Sequence, residues 1–245
     1  MKPSDKKNRT QKLQLFLSHN GVCSRRRAMQ IIFDGEVTVN GNLVQEPSVK
    51  IVPGKDKICV KGKVVSFLKE EYIILHKPSG IMTTRADKFA PKTVIDLLPK
   101  ELQHLFPVGR LDKDTEGLLL LTNDGDLANR LTHPKYECEK KYFVIIKGKL
   151  DLDNGQQIKE GVLLDDKKTA PAKLTNVRVK ENQTELTLTI TEGRKRQIRR
   201  MFEVVGHEVK YLKRLSQGPI KLGNLKIGSY RFLSDKEIKD LKEKT

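Results

Sequence analysis

The stretch that decides the fold runs from Gly109 to Leu127 and reads GRLDKDTEGLLLLTNDGDL. Its four consecutive leucines, Leu118–Leu121, have the length and apolar character of a strand that is buried on both faces of a sheet. The Asn-Asp-Gly that follows is typical of a turn, and a helix is expected from there to Leu131. Three acidic residues at alternate positions precede the strand, namely Asp112, Asp114 and Glu116. The stretch therefore joins a core strand to the densest group of candidate functional side chains.

Acidic residues at alternate positions invite a metal-binding interpretation. In a calcium loop that starts at Asp112, the required glycine falls at Gly117, but the twelfth position is Asn123 instead of Glu. A two-metal nuclease would need further carboxylates and histidines, and none cluster nearby in the sequence. A metal-dependent RNA hydrolase is therefore a minor alternative, and no metal or cofactor is expected.

The chain around this stretch interleaves strands and helices without a regular βαβ period. Strands are predicted at 72–75, 142–146 and 185–190, and helices at 93–98, 193–206 and 234–243. This mixture predicts an α+β fold, with a mixed or antiparallel sheet, for a domain that spans residues 71–245.

A smaller α/β domain is predicted over residues 11–68. Leu13, Phe16 and Leu17 have helical spacing, Ser24 is placed to cap a second helix, and Gly35 is placed to end it. Strands follow, with hairpin turns expected at Asn40-Gly41 and Lys61-Gly62. Residues 1–10 are polar and basic, and they are expected to form a disordered arm.

Charge points to a polyanionic partner. The formal net charge is +17, and the excess is concentrated in residues 1–70 and 193–214. Lys and Arg placed on phosphates release counterions and strengthen binding. Neither zone carries Trp or an interfacial amphipathic stripe, so a membrane partner is not expected. The three cysteines are far apart, which argues against a zinc site and fits free thiols in the cytoplasm.

Three arginines, Arg25, Arg26 and Arg27, occupy the first turn of the second predicted helix. Cations at this end oppose the helix dipole, and a bound phosphate would remove the conflict. A solvated run of charge is the alternative. This domain resembles the S4 RNA-binding domain, whose two helices present such a basic turn.

Four ordered motifs extend the resemblance over nearly the whole chain. They are the KPSG turn that starts at Lys77, the GRLDKDTEGLLLL stretch, EKKY at 139–142, and EGRKRQIRRMF at 192–202. Together they resemble the RsuA/RluB branch of pseudouridine synthases, with the RluB type slightly favoured. Glu116 departs from that branch, in which a small residue is common.

The resemblance implies roles for single residues. It implies that Asp112 is the catalytic carboxylate and that Tyr142 stacks on an extruded uracil. Arg199 is the best candidate for a cation that keeps Asp112 charged and oriented. Arg110 is expected to fill the gap left by the base or to hold phosphates. The remaining basic residues are expected to contact RNA, namely Lys77, Arg25, Arg26, Arg27, Arg194, Lys195, Arg196 and Arg200.

The implied reaction is the isomerisation of one uridine in ribosomal RNA, with 23S favoured over 16S, in free RNA or an assembly intermediate. A monomer in the cytoplasm is expected. The alternative is a non-catalytic RNA-binding protein built on the S4-like domain, and only the set of Asp112, Tyr142 and Arg199 discriminates against it.

Overall fold

The chain divides into two compact units in the computed structural model, which describes residues 10–84 and 92–244. One unit ends at Glu71 and the other begins at Tyr72. The predicted basic arm lies outside the described residues except for Thr10.

The first unit consists of two helices and six short strands. The helices are α1 (Leu13–His19) and α2 (Arg25–Phe33). The strands are β1 (Gln11–Lys12), β2 (Val37–Val39), β3 (Asn42–Leu43), β4 (Lys50–Ile51), β5 (Ile58–Val60) and β6 (Lys63–Val64). β3, β2, β5 and β6 form one sheet in that order, and β1 pairs with β4. One apolar core joins the helices to the sheet.

Local sequence explains the boundaries of these elements. The Ser24 hydroxyl accepts a hydrogen bond from the Arg27 backbone N–H at 3.3 Å, so Ser24 caps α2 as predicted. Gly35 has φ of +72° just after the end of that helix, a conformation that glycine adopts without strain. Asn40 and Gly41 both have positive φ and connect β2 to β3, as the hairpin prediction required.

The second unit is built on a nine-stranded mixed sheet. Its main order is β13–β14–β10–β15–β9–β7–β17, and β8 and β16 pair at the edges of β9 and β15. Among the described pairs of named strands, only β15–β9 is parallel. The strands are β7 (Tyr72–Lys77), β8 (Phe106–Pro107), β9 (Glu116–Thr122), β10 (Lys140–Lys147), β13 (Lys173–Val179), β14 (Gln183–Ile190), β15 (Val209–Gln217), β16 (Ile220–Lys221) and β17 (Tyr230–Phe232). A separate hairpin joins β11 (Leu163–Leu164) to β12 (Lys167–Lys168). The α+β prediction is confirmed.

The four leucines of β9 serve two cores. Leu119 and Leu121 pack into one cluster, whereas Leu118 and Leu120 pack into a second cluster. Successive side chains of a strand point to opposite faces, so both faces of β9 are covered. This explains why the run is continuously apolar instead of alternating.

The helices of the second unit are α3 (Gly125–Thr132), α4 (Leu152–Glu160), α5 (Gln197–Val204) and α6 (Asp235–Lys244), with 3-10 turns at Ile95–Leu97, Lys100–Leu102 and Pro134–Tyr136. The helix predicted at 193–206 begins later than expected, because Arg196 has a left-handed φ of +51°. The Arg194 backbone N–H bonds instead to the Gln197 side chain at 2.9 Å. The helix predicted at 93–98 is a single 3-10 turn. Within the described ranges, no helix has the length and apolar character of a membrane span.

Candidate active site

A cavity of about 500 Å³ opens in the second unit beside the loop that carries Asp112. Strands β10 and β15 and the start of α5 form its other walls. Six of the lining side chains are cationic, namely Arg110, Lys140, Arg194, Lys195, Arg196 and Arg214. Among the described residues, Asp112 is the only carboxylate in the wall. The cavity therefore combines an excess of positive charge with one acid, in a volume that admits a nucleobase.

Backbone contacts hold the Asp112 loop in place. The Lys77 ammonium donates to the carbonyls of Pro78, Lys113 and Thr115 at 2.9, 3.0 and 2.9 Å. The Thr83 hydroxyl donates to the Leu111 carbonyl at 2.8 Å. Because these bonds use main-chain oxygens on both sides of Asp112, the carboxylate itself stays available to the cavity.

Lys77 is fully buried, and all three of its N–H donors are used. Burial lowers the pKa of this ammonium to about 8, against an opposing effect of Asp114, Asp112 and Glu116. The prediction that Lys77 contacts an RNA phosphate is wrong, because no face of the ammonium reaches solvent. Lys77 anchors the loop instead.

Arg199 lies on α5 beside the same loop. Its guanidinium donates to the Val209 carbonyl at 2.8 Å and to the Asp114 carbonyl at 3.3 Å. Burial and the neighbouring Arg196 lower the pKa of Arg199, while Asp114 and Asp112 raise it. Within the described part of the chain, no ion pair joins Arg199 to Asp112, so the predicted direct pairing is replaced by a contact with the loop backbone.

Two further arginines of the 192–202 motif have protein partners. Arg194 donates to the carbonyls of Lys167 and Lys168 at 2.8 and 2.7 Å, which holds the β11–β12 hairpin against the motif. Arg200 forms a bidentate pair with Asp165 at 2.9 and 2.6 Å. Both arginines stay partly exposed, so their predicted phosphate contacts remain predictions.

Three predicted RNA-contacting residues reach both the cavity and the solvent. Arg110, Lys195 and Arg196 are exposed and line the cavity. Arg196 forms a long ion pair with Asp114, at 3.8 Å. Arg25, Arg26 and Arg27 are likewise exposed on the first turn of α2 in the first unit.

Tyr142 lies on β10 and lines the cavity with 7% of its surface exposed. It pairs with Leu188 on one side and with Arg214 on the other. The ring also belongs to the main apolar cluster. Tyr142 thus shares one cavity with Asp112, as the motif resemblance implied, and it contributes to the core as well.

Sequence reasoning missed several polar residues of the wall, Thr115 and Gln197 among them. Lys140, Arg214 and Gln217 all line the cavity and are nine-tenths or more buried. Lys140 was visible only as part of EKKY, and the segment with Arg214 and Gln217 shows no apolar alternation that predicts a core strand. Gly117 explains the close approach of that strand, because a Cβ there would lie 2.3 Å from the Arg214 carbonyl oxygen.

The three acids before β9 separate in the structure. Asp112 lines the cavity, and Asp114 is exposed beside Arg196. Glu116 is buried, with its Oε1 2.9 Å from His76 Nε2 and 3.2 Å from Lys213 Nζ. Burial raises the pKa of Glu116, but hydrogen bonds from His76, Tyr211 and Lys213 outweigh it and lower the pKa below its ordinary value. Across residues 10–84 and 92–244, no three His, Cys, Asp or Glu side chains are grouped to hold a metal ion.

Comparison with protein families agrees with this arrangement. A family model described as RNA pseudouridylate synthase matches residues 71–204, and an S4 domain model matches residues 11–65. The chain belongs to the RNA pseudouridine synthase family. The resemblance inferred from the sequence motifs is confirmed, and the matched segment contains Asp112, Tyr142 and Arg199.

Relatives and a solved structure align with almost the full chain of this pseudouridine synthase. It is 43% identical over 234 residues to the ribosomal large subunit pseudouridine synthase B of Bacillus subtilis, covering 95% of this chain and 96% of the relative. An uncharacterized RNA pseudouridine synthase of Aquifex aeolicus is 42% identical over 231 residues, covering 94% and 93%. A crystal structure of a pseudouridylate synthase superposes with a TM-score of 0.68 at 33% identity, covering 94% of this chain and 99% of that one.

Proposed function

We propose that this protein isomerises one uridine of ribosomal RNA to pseudouridine in the cytoplasm, acting as a monomer. The observation that carries the proposal is a single carboxylate, Asp112, in a cation-lined cavity that it shares with Tyr142. The large-subunit RNA is the favoured substrate, because the relative from Bacillus subtilis is named for the large subunit.

The reaction requires a charged group at the ribose and a pocket for the base. The bond between N1 and C1′ breaks, the uracil turns, and C5 bonds to C1′ while a proton leaves C5 and one is taken up at N1. Addition of a carboxylate to C1′ and removal of the C2′ proton both require an ionised acid at the sugar, and Asp112 supplies it. No electron is gained or lost overall, so the chemistry assigned to Asp112 requires neither a metal nor a cofactor.

The side chains around Asp112 divide the remaining work. Tyr142 stacks on the flipped uracil. Arg110, Lys195 and Arg196 bind phosphates near the mouth, where they are exposed. Lys77 and Arg199 act as positioning residues, because they bond to the loop backbone and not to the carboxylate.

The two domains are assigned different roles in this proposal. Residues 11–68 bind RNA through Arg25, Arg26 and Arg27, and residues 71–245 carry the chemistry. The exposed arginines at the amino end of α2 are placed where a phosphate would offset their conflict with the helix dipole.

Pseudouridine mapping tests this proposal. Transcripts of 16S and 23S ribosomal RNA are incubated with the wild-type protein, Asp112→Asn, or Glu203→Gln as an exposed-carboxylate control on α5. We expect one new pseudouridine in 23S RNA with the wild type and the control, and none with Asp112→Asn. A modified site in 16S RNA alone would refute the large-subunit assignment, and modification by Asp112→Asn would refute the catalytic role.

A further inference from the structure

Strand β15 contains a β-bulge beside the cavity. On β10, Lys141 pairs with Ser216 and Tyr142 pairs with Arg214, so Leu215 is an extra residue without its own partner in that ladder. A bulge interrupts the alternation of side chains and turns residues that would face apart toward one side. As a result Arg214 and Gln217, three positions apart, both line the cavity.

Both side chains are almost completely buried and incompletely bonded. Each is 2% exposed. Arg214 Nε donates to the Leu118 carbonyl at 2.7 Å, but its Nη2 has no hydrogen-bond partner within residues 10–84 and 92–244. Gln217 Nε2 lies 3.4 Å from the Leu131 carbonyl, and its Oε1 has no partner in the same ranges. Unpaired buried polar groups are costly, so a donor and an acceptor in one cavity wall point to a bound ligand.

We propose that Arg214 and Gln217 bind the edge of the flipped uracil and select it over cytosine, an inference that rests on the function proposed above. Arg214 Nη2 donates to O4 of the base, and Gln217 Oε1 accepts the N3–H. Uracil offers this acceptor and donor side by side. Cytosine presents an unprotonated N3 and an amino group there, so both contacts would become unfavourable.

The acceptor on Gln217 argues for a base over a phosphate. A phosphate offers only acceptor oxygens, so the Gln217 oxygen would repel it, whereas an N3–H satisfies it. Arg214 also suits the reaction itself. When the N1–C1′ bond breaks, its electron pair leaves with the base, and the negative charge spreads onto the carbonyl oxygens. A fixed guanidinium next to one of these oxygens stabilises that charge.

Methylation of N3 tests the Gln217 contact. A synthetic RNA hairpin around the uridine found by mapping is prepared with uridine or with N3-methyluridine, and single-turnover rates are measured. We expect methylation to slow the wild type about 10-fold to 100-fold. Gln217→Ala should convert uridine more slowly than the wild type. Its rates on the two RNAs should lie within about threefold of each other, because the contact is gone and space is opened for the methyl group. An equal slowing by methylation in both proteins would overturn the Gln217 assignment.

A charge-retaining and a neutral substitution test Arg214. Arg214→Lys and Arg214→Met both remove the guanidinium, and only Lys keeps the positive charge. We expect Arg214→Met to lose about 100-fold or more in rate, and Arg214→Lys to remain at least about tenfold faster than Arg214→Met. The dissociation constant for RNA should stay within about twofold of the wild-type value for both variants. Lys210→Met, which removes an exposed cation from the same strand, should match the wild type.

The possible outcomes distinguish a failure of the base-binding proposal from a failure of the proposed function on which it rests. Equal rates for the Lys and Met variants with equal melting temperatures, or a parallel loss of RNA affinity, would overturn the role of Arg214 at the base. A wild-type protein that converts no uridine would refute the proposed function itself, and the base-binding proposal with it.

Discussion

The two arginine-rich stretches of this chain look alike in sequence and differ in the fold. Arg25, Arg26 and Arg27 occupy the first turn of a capped helix, and all three side chains are exposed. In the second stretch, Arg194, Arg199 and Arg200 instead donate to carbonyl or carboxylate oxygens of the protein. The first stretch presents its charge to solvent, whereas three arginines of the second bond to other groups of the protein.

The difference shows what determines whether a basic side chain can contact RNA or bonds within the protein. Both stretches contribute to a net charge of +17, which attracts RNA whatever the position of each charge. A cation can contact phosphate only if its donors remain free, and the donors of Lys77 and Arg194 bond to backbone carbonyls. The predictions below break or sharpen this comparison, from the largest expected effect to the smallest.

Lys77→Met should give the largest loss, because it removes the cation that bonds to two carbonyls of the Asp112 loop, those of Lys113 and Thr115, and to the Pro78 carbonyl. We expect the single-turnover rate to fall about 100-fold, as small displacements of a catalytic group commonly produce. RNA affinity, measured by filter binding, should stay within about twofold of the wild-type value because no phosphate contact is lost. A drop in RNA affinity with a normal rate would contradict the anchoring role and indicate that Lys77 contacts RNA.

The pH dependence of the single-turnover rate should show the titration of Lys77. Burial lowers the pKa of Lys77 to about 8. Below that pH the ammonium has three N–H donors for three carbonyls, and above it the neutral amine has two. The rate should therefore decline as the pH rises through about 8. Lys77→Met should lack this inflection, and an inflection that persists in the variant would assign the titration to another group.

Adjacent positions in the second stretch provide a matched pair. Arg194→Met should lower the free energy of unfolding by about 2 kcal/mol and the Tm by about 4–8 °C, because its carbonyl partners lose a charged donor. Its effect on the salt dependence of RNA binding should be small. Lys195→Met should leave the Tm unchanged and lower the salt slope by about 1. Reversed results for the two variants would contradict the assignment of Arg194 to structure.

Substitutions in the first stretch should have the smallest effect on stability, and they should not change the single-turnover rate at saturating protein. Replacing Arg25, Arg26 and Arg27 together with Ala should reduce the salt slope of RNA binding by up to about 3. The Tm should not fall, since these cations oppose the helix dipole. An unchanged slope would mean that this turn of α2 does not contact phosphate.

Much of the fold could be predicted because local chemistry and global packing agree. The leucines of β9, the Ser24 cap and the Asn40-Gly41 turn all form as their sequences indicate. Strands β13 and β15 were not predicted, because β13 is largely exposed and β15 carries a bulge that disrupts its alternation. Their place in the sheet depends on partners that are distant in sequence.

The site could be predicted only in part for a similar reason. Motif resemblance identified Asp112 and Tyr142, which line one cavity. Resemblance did not reveal that Lys77 faces inward at the end of a buried strand, or that the backbone of Arg214 packs closely against Gly117 and that its side chain is buried. The sequence does not show whether a lysine or an arginine is buried. Only the folded structure shows which backbone carbonyls lie close enough to accept its hydrogen bonds.

Release of tritium from uracil C5 tests the central claim most directly, because C5 must lose its hydrogen when it bonds to C1′. Large-subunit RNA labelled at this position is mixed with excess wild type, Asp112→Asn or Glu203→Gln, and RNA affinity is measured in parallel. The account predicts release by the wild type and Glu203→Gln, with no release above background by Asp112→Asn at unchanged affinity. Release by Asp112→Asn at the wild-type rate would contradict it.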